Sequence, residues 1–134
     1  MELIYTYPAC FYPDTDGITV IFPDLPGCTT CGFTLDEALY MADDAACGWI
    51  LTTLEMGEKL PPASKPGEVV ADEFANGFVN FMRLDVESYA KKFNKKPVNK
   101  NCSIPTWLNT LAERANLNFS QTLQDGIKQR LGLV

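Results

Sequence analysis

The feature that most limits the fold is the polar, basic break Asn94-Lys95-Lys96-Pro97, because it leaves only about 40 residues behind it. Val98 to Ile104 reads as a strand that stops at Pro105. Thr106 to Ala115 reads as a helix with Leu108, Leu111, Ala112 and Ala115 on one face. Asn116-Leu117-Asn118 interrupts it. A last helix follows, capped by Asn118 with Gln121 at its third position, carrying Phe119, Leu123, Ile127 and Leu131 on one face and ended by Gly132. One strand and two short helices cannot bury enough apolar surface by themselves. A lone strand also leaves both of its edges unpaired. A second copy solves both problems by pairing the strands antiparallel and interlocking the helices. The tail therefore predicts an obligate homodimer, and the break divides the chain into domains 1–93 and 94–134.

The larger front part has a different grammar. Leu3 to Phe11 is rich in β-branched and aromatic residues and predicts a strand. Pro8 cannot donate to a ladder, so an edge position or a bulge is expected there. Tyr12 to Gly17 is a turn, and Ile18 to Phe22 a second strand returning as a hairpin. A loop over Pro23 to Cys28 leads to a third strand, Thr29 to Phe33. Thr34 and Glu37 form a capping box before a long helix with apolar residues at Leu35, Ala38, Leu39, Ala42, Ala45, Ala46, Trp49 and Ile50. Gly57 is the expected stop. Leu60 to Gly67 is a proline-rich connection, Phe78 to Val86 a fourth strand and Glu87 to Phe93 a short helix. The predicted class is α+β, an antiparallel sheet with a helix, followed by the dimerising tail.

Charge divides the chain at nearly the same place. Residues 1–90 hold fifteen acidic and three basic side chains, a net of −12, whereas residues 91–134 hold eight basic and two acidic, a net of +6. A basic end attracts phosphates by releasing their counterions. An acidic body repels nucleic acid and attracts a basic partner. The chain lacks histidine, which removes Ser-His and Cys-His pairs and histidine metal ligands. Cys28 and Cys31 form a CxxC, but two further zinc ligands are not evident, and small half-buried side chains explain the cysteines as well. Five cysteines, with no basic region followed by an apolar run at the start, predict reduced thiols in a cytoplasmic protein without a membrane span. No cofactor is expected.

Two sets of motifs resemble one family in the right order. YPACF, DGITVIFPDLPGCTTCG, TLDEALYMADDAACGWI and LPPAS resemble the N-terminal domain of HicB-type antitoxins. NCSIPTWLNTLAERANLNFSQTLQDGIKQRLGL resembles their C-terminal ribbon-helix-helix domain. The resemblance implies a reduced RNase-H-like α/β unit that blocks a small basic HicA-like toxin, an RNA-cleaving protein. It also implies a tail that binds operator DNA and represses the operon.

On that reading the ribbon's alternation aims Cys102 and Ile104 at the core. Asn99, Asn101 and Ser103 face outward, into the major groove, where Asn pairs bidentately with adenine and Ser contacts several bases. Lys100 breaks the alternation and is expected to snorkel to a phosphate. The free N–H groups of Phe119 and Ser120 offer an anion site at a helix start, and Lys95 and Lys96 add backbone contacts. Asp24, Asp43 and Asp44 are the expected contacts for a basic toxin. Two rival readings use the same residues differently. A ribbon-helix-helix regulator would use its front domain to sense a small ligand. A Mg²⁺ nuclease would use Asp14, Asp16 and Asp24, although no carboxylate lies within the first two strands, where a buried metal ligand is expected. No catalytic residue is therefore predicted.

Overall fold

The computed structural model describes residues 3–133. They form two compact units that divide between Lys95 and Lys96, inside the basic break.

The first unit contains strands β1 (Ile4–Asp14), β2 (Gly17–Ile21) and β3 (Thr29–Gly32), helix α1 (Leu35–Glu55), strand β4 (Phe78–Asp85) and helix α2 (Val86–Phe93). The sheet is antiparallel throughout, in the order β3-β2-β1-β4. The first turn is tight because the Asp16 N–H donates to Asp14 Oδ1 at 2.7 Å. Gly17 follows at φ +140°, and a Cβ there would lie 2.7 Å from the Gly32 carbonyl oxygen, so only glycine fits.

Helix α1 packs on the sheet through a stripe of alanines. Ala38, Ala42 and Ala46 are fully buried with Ile50 against Tyr7, Ala9, Phe11, Val20, Phe22, Met82 and Leu84. Small side chains bring the helix close, and Gly32 lets its first turn approach, since a Cβ there would meet Ala38 N at 2.4 Å. Thr34 caps α1 by accepting the Glu37 N–H at 3.1 Å. Pro8, Cys10 and Tyr12 fall on the opposite face of β1 and are buried as well. Tyr12 meets Phe74 edge-on at 5.3 Å, so the segment before β4 covers that face.

Pro8 sits on an inner strand rather than the expected edge. Its ladder is nonetheless one-sided: it is opposite Phe81 of β4, while pairing with β2 reaches only to Cys10. A missing N–H is tolerated where one flank of the strand is free.

The second unit contains helices α3 (Thr106–Arg114) and α4 (Phe119–Leu131). Asn118 caps α4 by accepting the Gln121 N–H at 3.0 Å, and Gly132 ends it in the left-handed conformation. The strand expected over Val98 to Ile104 is not formed, and residues 94–105 have no regular secondary structure. A strand requires a partner, and this single chain supplies none there. Cys102 and Ile104, expected to face a core, are accordingly exposed.

Candidate functional site

In the tail unit, the apolar helix faces remain open. Neither α3 nor α4 has a buried residue. Trp107, Leu108, Leu111, Phe119, Leu123 and Ile127 are between 41% and 65% exposed. Each such side chain would gain about 1.5–3 kcal/mol on full burial. The sequence places them on single faces, and the fold of one chain leaves those faces uncovered.

The expected DNA-contact residues converge in part. Lys100 and Asn101 line one hollow with Phe119 and Ser120, at the start of α4. Asn118 Oδ1 satisfies Gln121, and the Thr122 N–H reaches the Asn118 carbonyl at 2.9 Å. The N–H groups of Phe119 and Ser120 precede the first intrahelical acceptor, so they remain able to hold an anion. Gln121 does not reach back to the cap; its amide donates to Asp125 at 2.9 Å. Asn99 and Ser103 are exposed in the segment before α3 and do not line that hollow, and Lys95 and Lys96 are exposed at the break.

In the body unit, the three predicted acidic residues lie in different settings. Asp24 is engaged internally: its Oδ2 accepts the Ser64 N–H at 2.7 Å and its Oδ1 the Ser64 hydroxyl at 2.8 Å. This bond ties the PDLPG loop to the LPPAS segment 40 positions later. Tyr7 supports the same segment by donating to the Pro61 carbonyl at 2.5 Å, and Trp49 holds the loop by donating to Pro26 at 3.0 Å. Leu25, between these contacts, is fully buried. The residue pattern alone gave no sign of the Asp24–Ser64 pair.

Asp43 and Asp44 line a groove between α1 and α2 with Tyr40, Asp85, Tyr89, Phe93 and one basic residue, Lys92. Partial burial raises the Asp43 carboxyl above its ordinary range, and the charges of Asp44 and Asp85 raise it further. Asp85 behaves oppositely. The Ser88 N–H at 3.0 Å and hydroxyl at 2.9 Å hold its carboxyl below the usual range. Among the described residues the ion pair is Lys91–Glu87, at 3.0 Å. Asp43 and Asp44 thus take part in no close ion pair among the described residues, while Arg83 and Lys91 act on Asp85 from a longer distance.

The cysteines are structural where they are buried. Cys28 is buried and Cys31 exposed, with the three-residue spacing placing them on opposite faces of an extended chain. Burial pushes the Cys28 thiol up to about 11. Burial and the neighbouring Asp43 push Cys47 to about 12. Such thiols stay protonated at neutral pH and are poor nucleophiles. Among the described residues, no group of three or more Cys, Asp or Glu side chains is arranged to hold a metal ion. Also among them, no helix is long and apolar enough to cross a membrane.

An acidic α/β body is thus followed by a basic two-helix tail. The model of the HicB-like antitoxins of bacterial toxin–antitoxin systems matches residues 7–125, and the chain belongs to that family. Antitoxin HicB 2 of Photorhabdus laumondii is 38% identical over 66 residues, 49% of this chain and 48% of that protein. A chain of a toxin–antitoxin complex from Streptococcus pneumoniae superposes with a TM-score of 0.61 at 28% identity, covering 96% of this chain and 99% of that one. A chain of the HicA3–HicB3 toxin–antitoxin complex superposes with a TM-score of 0.52 at 26% identity, covering 60% and 99%. The chain is thus an antitoxin of a toxin–antitoxin system and a non-enzymatic regulatory protein.

Proposed function

We propose that the body unit, read as a reduced RNase-H-like domain, neutralises a HicA-like RNA-cleaving toxin. We further propose that the tail, read as a ribbon-helix-helix domain, represses the chain's own operon as a homodimer. The observation that carries the second half is the tail's uncovered apolar helix faces, preceded by a segment without a ladder. A second copy supplies the missing strand and the missing core together. Pairing then presents Asn99, Asn101 and Ser103 as a two-stranded ribbon of the width that a major groove accepts. Lys100, Lys95 and Lys96 neutralise phosphates, and the N–H groups of Phe119 and Ser120 fix the register on the backbone.

The first half is supported by the net negative charge of the body and by the HicA3–HicB3 complex among the structural relatives. Asp43 and Asp44 line a groove with Tyr40 and Tyr89 and attract a cationic side chain through charge, in competition with the chain's own Lys92, which shares the wall and lies 5.5 Å over the Phe93 ring. Asp24 adds to the same field while bonded to Ser64. Inhibition needs no chemistry on this reading, since occupying the toxin's basic RNA-binding surface excludes its substrate.

The test is bacterial growth while the small basic protein encoded beside this chain is expressed. Arrest by that protein alone, reversed by co-expression of this chain, is the expected result. Arrest that persists with both proteins expressed would overturn the antitoxin half of the reading.

A further inference from the structure

β3 lies at the end of the sheet and pairs only with β2. The Phe22 N–H donates to the Cys28 carbonyl at 3.0 Å, which makes Phe22 and Cys28 a bonded pair. Bonded and non-bonded pairs alternate along an antiparallel ladder. Val20–Thr30 and Ile18–Gly32 are then the bonded pairs, and Thr29 and Cys31 turn their N–H and C=O groups away from β2. Both residues are exposed, and among the described residues no further strand pairs along this edge.

The surroundings select the occupant. Phe33, immediately after β3, is 80% exposed, the highest value for a large apolar side chain among the described residues. Beside it is a hollow of about 230 Å³ lined by Ile18, Cys31, Phe33, Asp14, Asp16 and Glu37, with no basic residue in its wall. Asp14 accepts one internal bond, whereas the Asp16 and Glu37 carboxylates have no cationic partner among the described residues. A second copy of this unit would bring like charges together across the edge. The other open edge, β4, carries Arg83 and suits a cationic partner less well.

We infer that the β3 edge takes an extended, positively charged segment of the toxin as a fifth strand. Phe33 packs on the segment's apolar side chains, and Asp16 and Glu37 meet its lysines or arginines. The inference rests on the toxin-binding reading and specifies its surface. Thr29 and Cys31 give the new ladder up to four backbone bonds, so main-chain pairing supplies affinity and the acidic hollow supplies selectivity.

The test measures affinity of the full chain for the adjacent basic protein, catalytically inactivated, by isothermal titration calorimetry. Cys31→Pro removes an outward-facing N–H and leaves the β2–β3 ladder intact, a position where proline is tolerated. Phe33→Ala removes an exposed ring. Each is expected to weaken binding about tenfold or more while thermal unfolding of the body is unchanged. Binding at wild-type strength by both variants would overturn the edge assignment while the antitoxin reading stands. Failure of the unaltered chain to bind would overturn both.

Discussion

The two units answer the same pattern in opposite ways. In the body, α1 carries apolar residues at helical spacing and buries Ala38, Ala42, Ala46, Cys47 and Ile50 against its own sheet. In the tail, α3 and α4 carry apolar residues at the same spacing and bury none. Periodicity identifies a face that must be covered, and it does not say by which chain. The body has a four-stranded sheet to offer its helix. The tail has one segment without regular structure and two helices of nine and thirteen residues, too little to enclose a core. Self-sufficiency in one half and uncovered apolar faces in the other suit the proposed division, with toxin held by the body and assembly through the tail.

The comparison breaks most visibly under core substitutions. Ile50→Ala, at a fully buried position, should cost about 2–5 kcal/mol and lower the body's melting temperature at every protein concentration. Leu123→Lys should instead leave the body's melting transition in place and shift the chain towards monomer in size-exclusion chromatography. A monomer shift from the first, or a destabilised body from the second, would show that the halves are not separable.

Smaller effects sharpen the division. Asn101→Ala should weaken a specific operator by about 1–3 kcal/mol in an electrophoretic shift assay if it pairs with a base. Unchanged affinity would remove Asn101 from the reading face. Asp24→Ala leaves the Ser64 N–H and hydroxyl without their acceptor and should cost about 1–2 kcal/mol in chemical denaturation. A fully stable variant would show that the loop does not depend on this bond. Lys96→Ala should reduce affinity for all DNA sequences alike and lower the salt-dependence slope by roughly one unit.

Much of the body was legible because its signals are local. Thr34 with Glu37 marks the start of α1, and Gly57 the residues just past its end. Asn118 marks α4 in the same way. The misses are features that depend on distant groups. Pro8 marks a one-sided stretch of an inner strand, which required knowing where β2 ends. Asp24 appeared as a surface charge until folding brought Ser64 to it across 40 positions. Cys28 and Cys31 looked like a paired motif, and extended backbone separates their side chains. Val98 to Ile104 has a strand's alternation, and a strand forms only when a ladder partner is present. On the candidate interfaces, the sequence named Asn101 with Ser120 and Asp43 with Asp44. The fold added the convergence of the first pair on one hollow and the aromatic lining around the second.

The most direct test of this two-part account is amide hydrogen exchange on the full chain across a dilution series. Protection in β1, β4 and α1 should be independent of concentration, and protection in α3 and α4 should fall together as the protein is diluted. Tail protection that persists unchanged at the lowest concentration, where sedimentation shows a 14.9 kDa monomer, would contradict it.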